Sequence, residues 1–152
     1  MLSYEGIFFE ADMVDLIHSL ESEKLARVND EIHCTFKYHP TTEEIFNDIV
    51  GRTFEVYLIG YGNDGQNSGF EILFPDELKD YYINYDEQNP TVLKTPHITA
   101  SLAEGAKASN TKNLNFKPLE KPVKLVGRFG YWIKGENEEY LSYEPYPKGK
   151  TR

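Results

Sequence analysis

Two stretches decide how this chain is read: Ile32-His33-Cys34-Thr35-Phe36-Lys37-Tyr38 and Pro96-His97-Ile98-Thr99-Ala100-Ser101-Leu102. Successive side chains of a strand point to opposite faces, so residues i and i+2 share one. As uninterrupted strands, the first carries His33, Thr35 and Lys37 on one face and Ile32, Cys34, Phe36 and Tyr38 on the other. The second carries His97, Thr99 and Ser101 on one face and Ile98, Ala100 and Leu102 on the other. Each strand thus sets an imidazole and hydroxyls in front of an apolar back.

The flanking sequence supplies further elements. Ser3-Tyr4-Glu5-Gly6-Ile7-Phe8-Phe9 is a predicted strand. Val14, Leu16, Ile17, Leu20 and Leu25 fall close to helical spacing and predict a helix over 12–25, with Asp12 as its N-cap. Thr41 and Glu44 stand at capping-box spacing and predict a second helix running through Ile45-Phe46-Asn47-Asp48-Ile49-Val50. Phe54-Glu55-Val56-Tyr57-Leu58-Ile59-Gly60 and Gly69-Phe70-Glu71-Ile72-Leu73-Phe74 form a hairpin about the turn at 62–67. Between Pro75 and Pro90 a short helix or loop and a strand at Tyr81-Tyr82-Ile83-Asn84-Tyr85 fit equally well. Residues 105–115 are polar and predict a surface loop. Residues 123–133 predict one or two strands, with Gly127 and Gly130 marking a bend or a close approach. A turn at 136–139 leads to a last strand, Tyr140-Leu141-Ser142-Tyr143, and 145–152 is expected to fray.

These elements predict an α+β fold with a mainly antiparallel sheet and helices packed outside, as a single domain over 1–152. A His-x-Thr strand in each half predicts two related, pseudo-symmetric lobes facing one central cleft.

Composition narrows the function classes. With 39% hydrophobic and 14% aromatic residues the chain is globular rather than disordered. Cys34 is the only cysteine, which rules out an internal disulfide and points to a reducing cytoplasm. No apolar run reaches transmembrane length and Met1 to Glu5 holds no basic leader, so neither a membrane span nor a signal peptide is expected. The net charge of −9 opposes binding to long nucleic acid and favours a small nucleotide or short oligonucleotide. Oligomeric state is left open.

The remaining reactive residues are read as structural. His18 is expected at a helix surface or in packing, and His39 in a loop. Alternation places Cys34 on the apolar face, away from thiol chemistry. No compact His/Cys cluster exists, so no metal is expected. Gly60 to Gly65 is hairpin sequence rather than a phosphate loop, because no helix start with Lys-Ser/Thr follows it.

The quartets His33-Cys34-Thr35-Phe36 and His97-Ile98-Thr99-Ala100, in a small α+β chain, resemble the paired motifs of the 2H phosphoesterase superfamily. Lys37-Tyr38 after the first quartet, Pro96 before the second and the loop at 105–110 also look like family features. In layout the resemblance covers roughly residues 3–143. It implies a two-lobed fold with both histidines at the centre of a concave cleft. The implied activity is metal-independent and cofactor-free hydrolysis of phosphodiesters at ribose 2′ or 3′ oxygens: cyclic phosphates, 2′-5′ linkages or cyclic oligonucleotides. Two imidazoles can act as base and acid near neutral pH, with Thr35 and Thr99 donating to the charged phosphate oxygens. The residues do not say which histidine is the base; the resemblance leans to His97 as base and His33 as acid. Substrate-binding candidates are Lys37, which either reaches phosphate or points to solvent, Ser101, and the loop residues Lys107, Ser109 and Asn110. Tyr4, Tyr61, Tyr82, Tyr131 and Trp132 are open as stacking partners for a base. Two alternatives stand beside this reading: a phage-type hydrolase of cyclic di- or trinucleotide immune second messengers, and a non-catalytic nucleotide-binding protein. Paired imidazoles speak against the last, since binding alone does not need them.

Overall fold

Strand pairing organises the chain. The computed structural model describes residues 1–147. Its strands are β1 (Leu2–Phe8), β2 (Arg27–Val28), β3 (His33–Tyr38), β4 (Thr53–Asn63), β5 (Asn67–Leu73), β6 (Tyr85–Asp86), β7 (Asn89–Leu93), β8 (His97–Leu102), β9 (Lys117–Lys134) and β10 (Glu139–Ser142). One α-helix, α1 (Ala11–Ser19), follows β1, and 3-10 segments occur at Thr42–Glu44, Asp76–Tyr81 and Ala108–Asn113. The main sheet has the order β2-β8-β5-β4-β9-β1-β3, with β10 added to β9, and β6 and β7 form a separate ribbon. Every pairing is antiparallel, so the chain is an α+β protein dominated by antiparallel sheet.

The apolar faces predicted for the two His-x-Thr strands lie in the core. Cys34, Phe36, Ile98 and Ala100 are fully buried, together with Ile7, Val56, Leu58, Phe70, Leu125 and Phe129. Each large side chain of this set contributes about 1.5–3 kcal/mol through burial. Helix α1 covers the same core with Val14 and Ile17. The 18-residue β9 pairs with β4 and then with β1, so a single strand joins both halves of the sheet. Gly127 and Gly130 in β9 mark close approaches: an added Cβ would lie 2.3 Å from Ile7 Cγ2 and 2.6 Å from the Ser142 carbonyl oxygen, respectively.

Helical content departs from the expectation. Helix α1 starts after Glu10 rather than at Asp12, and it stops at Ser19 instead of running to Leu25. It stops because Glu21 turns inward, where it meets His18 Nδ1 and accepts hydrogen bonds from the Ser68 and Ser101 hydroxyls. The capping-box residues form their bond, with the Glu44 carboxylate accepting from the Thr41 N–H. Yet only one 3-10 turn follows, since Ile45 is already extended and fully buried. Between Pro75 and Pro90 the chain makes the Asp76–Tyr81 segment and then enters the β6–β7 ribbon, with Tyr82 and Asn84 buried between them. Of the tail expected to fray, 148–152 lies outside the described residues. Tyr146 is held in place: its backbone exchanges two hydrogen bonds with the Asn47 side chain, and its ring packs edge-on against Tyr131. No helix among the described residues is long and apolar enough to cross a membrane.

Candidate active site

The two His-x-Thr strands share a local construction. In β3 the partners of β1 run Phe8 with His33, Ile7 with Cys34 and Gly6 with Thr35, then skip Phe36 before Glu5 meets Lys37. In β8 the partners of β5 run Glu71 with His97, Phe70 with Ile98 and Gly69 with Thr99, then skip Ala100 before Ser68 meets Ser101. Each strand therefore bulges at the residue after its threonine, and a bulge breaks the alternation of faces. Each threonine also faces a glycine. An added Cβ on Gly6 would lie 2.0 Å from the Cys34 carbonyl oxygen, and one on Gly69 would lie 2.4 Å from that of Ile98.

The bulges redistribute the expected face residues. Tyr38, not Lys37, continues the His33–Thr35 face: it pairs with Tyr4 and sits edge-on to its ring. Lys37 pairs with Glu5 and lines a groove with Tyr85 and Pro90 on the other side of Tyr38 and Glu87. Ser101 is fully buried; its hydroxyl donates to Glu21 at 2.6 Å and accepts from the Leu25 N–H at 3.0 Å. It ties the segment after α1 to β8, away from the histidine face. Uninterrupted alternation put Lys37 and Ser101 on the histidine face, and the bulges correct both placements.

Strands β3 and β8 share no ladder, yet they pack against each other where the sheet curls round. The two histidines are thereby brought together from separate halves of the sequence. His33 stacks on Tyr4 with centroids 4.4 Å apart and lies 5.4 Å from the Phe8 ring. Its Nδ1 is buried without a well-formed hydrogen bond. Burial holds its pKa down to about 4; the neighbouring His97 acts in the same direction, and the Glu31 backbone offsets part of this. His97 is also lowered by burial, with Lys94 and Lys112 adding to the effect and the Thr95 carbonyl opposing it. That carbonyl lies 2.7 Å from His97 Nδ1. A carbonyl can only accept, so Nδ1 carries the hydrogen and Nε2 keeps its lone pair when the ring is neutral. Burial pushes the Cys34 thiol up to about 12, which keeps it from acting as a thiolate.

Around this pair, the Thr99 hydroxyl donates to Thr111 Oγ1 at 2.8 Å, and Thr111 also accepts from the Asn67 amide at 3.0 Å. The Thr99 carbonyl accepts from Asn29, whose own carbonyl bonds His18 Nε2. His18 is thus a packing residue that braces β8 through Asn29. His39 lies just past β3 as a loop residue with a left-handed φ of 48°. A cleft of about 680 Å³ opens between the end of β3, the β6–β7 ribbon and the Ala108–Asn113 segment, lined by Tyr38, Asp86, Glu87, Lys94, Ser109, Asn110 and Lys112 among others; His33, Thr35, His97 and Thr99 are not among its lining residues. Ser109 and Asn110 therefore border it as candidates, whereas Lys107 is an exposed residue whose backbone carbonyl is taken by Asn67. Among the described residues, no three His, Cys, Asp or Glu side chains gather as metal ligands.

Lys94, Thr111 and Lys112 entered the neighbourhood without being read from the sequence, and Tyr38, placed by uninterrupted alternation on the apolar face, moves to the histidine face. Tyr38 carried a signal in the Lys37-Tyr38 pair that follows the first motif. The others depend on how the ribbon and the Ala108–Asn113 segment fold over the sheet. No protein-family model matches the chain, and no curated protein matches it significantly.

Proposed function

We propose that this protein is a metal-independent phosphodiesterase of small nucleotides or short oligonucleotides, working from one cleft between two related lobes. The observation that carries the reading is the convergence of His33 and His97, each on a strand with the same bulge and the same glycine facing its threonine. His97 acts as base: Nε2 takes a proton from water while the Thr95 carbonyl holds Nδ1–H and stabilises the imidazolium that forms. The water oxygen bonds to phosphorus as the bond from phosphorus to the ribose oxygen breaks, and His33 delivers a proton to that oxygen. On its own His33 favours the neutral form; the negative charge of a bound phosphate favours the imidazolium, so His33 takes up its proton from solvent as the substrate binds. Thr35 and Thr99 donate to the non-bridging oxygens; Thr99 turns from Thr111 to do so. Tyr4, stacked on His33, widens the aromatic wall on which a base would rest.

Incubation in EDTA with 2′,3′-cyclic mononucleotides, 2′-5′ oligoadenylates and cyclic di- and trinucleotides tests the reading. Turnover is expected, with His33→Ala and His97→Ala each reducing it by roughly 10²-fold or more. Full activity in either variant overturns the acid–base scheme, loss of activity in EDTA overturns its metal independence, and binding without turnover makes the protein a nucleotide binder. Preference for the cyclic di- and trinucleotides would identify the second-messenger hydrolase.

A further inference from the structure

The proposed reaction handles one phosphate, and a second place for an anion lies beside it. Lys94, directly after β7, is only 9% exposed. Its Nζ lies 4.9 Å over the Tyr38 ring and 2.8 Å from the Glu87 carboxylate. Burying an ammonium group is costly without a counter-charge held in place. Here that counter-charge stands on the turn between β6 and β7, and its side chain is 63% exposed. The other Glu87 oxygen lies 3.3 Å from Nζ of Lys112, which comes from the Ala108–Asn113 segment and also reaches Asp86 at 3.4 Å. Two cations from different elements thus converge on one carboxylate at the rim of the cleft.

Thr111, the neighbour of Lys112, accepts from the Thr99 hydroxyl at 2.8 Å, and Lys94 stands three residues before His97, so the cluster adjoins the His97–Thr99 strand. Both lysines also line the 680 Å³ cleft with Tyr38, Ser109 and Asn110. An oxyanion bridging two ammonium groups is a geometry that a phosphate can take over from a carboxylate. We infer that Lys94 and Lys112 form a second phosphate-binding subsite, filled in the free protein by Glu87 of the β6–β7 ribbon. The substrate is then a nucleotide with a second phosphate, such as a dinucleotide or a cyclic oligonucleotide, rather than a cyclic mononucleotide. The link to turnover rests on the phosphodiesterase reading above; the anion subsite does not.

Calorimetric titration with inorganic pyrophosphate tests the subsite, using Lys112→Ala because Lys112 is less buried than Lys94. Lys112→Ala is expected to weaken binding about tenfold, and Glu87→Gln, which keeps the side-chain shape, to tighten it by a similar factor. In kinetics, Lys112→Ala is expected to raise KM for the linear dinucleotide pApA about tenfold more than for 2′,3′-cyclic AMP. Unchanged pyrophosphate affinity in both variants, with their thermal melting intact, makes the cluster a strut for the ribbon and overturns the subsite. Equal KM effects on the two substrates overturn the second-phosphate assignment. Variant-sensitive pyrophosphate binding without turnover of any nucleotide upholds the subsite and overturns the phosphodiesterase reading instead.

Discussion

Burial acts on His33 and His97 in one direction, and its consequence extends to stability. His33 holds its proton only below about pH 4 in the folded chain, against an ordinary value of 6.5 in the unfolded one. Between those values the unfolded chain binds the extra proton, so stability falls as pH drops from 6.5 towards 4. His97 is shifted the same way and contributes with the same sign. His33→Gln removes one of the two contributions. The loss of stability between pH 7 and pH 4.5, measured by urea unfolding, is therefore expected to shrink by on the order of 1–2 kcal/mol. An equal loss in wild type and variant would mean that His33 is not desolvated as described. The identity of these histidines was legible because two short motifs repeat. Their titration was not, because it depends on Tyr4, Phe8 and the opposite strand closing over the rings.

At the scale of elements, the bulges at Phe36 and Ala100 decide which side chains reach the site. Each bulge lets a strand lie against a neighbour that has no side chain opposite the threonine. Gly6→Ala and Gly69→Ala would drive a methyl group into a backbone carbonyl, and at Gly69 also to 2.6 Å from Thr111 Cγ2. Each is expected to destabilise the fold by about 2–4 kcal/mol in chemical denaturation. A cost within about 0.5 kcal/mol would show that the close strand approach is not required. Strand alternation made β3 and β8 legible together with their apolar backs, Cys34, Phe36, Ile98 and Ala100. It misplaced Lys37 and Ser101 because a single extra residue reverses every face beyond it. The helices were overread for a related reason. Apolar spacing and a capping box describe local preference, whereas Glu21 and Ile45 are each drawn into the interior by tertiary partners.

At the scale of the whole molecule, local and net charge pull on the ligand in different ways. The ribbon and the Ala108–Asn113 segment bring Lys94 and Lys112 together at the cleft, where Glu87 and Asp86 pair with them, while the chain as a whole carries a net charge of −9. A polyanion longer than the cleft would gain these two lysines only by displacing Glu87, and would lay its remaining phosphates along an acidic surface. Long-RNA affinity normally grows by recruiting further cationic contacts and releasing their counterions, and an acidic surface offers few. A 30-nucleotide single-stranded RNA, followed by fluorescence anisotropy at about 20 and 150 mM salt, is therefore expected to bind no more tightly than pApA and with a comparably shallow salt dependence. Binding a hundredfold tighter than pApA, with a steep loss on adding salt, would reveal a basic track along the surface and would move the substrate from short nucleotides to long RNA.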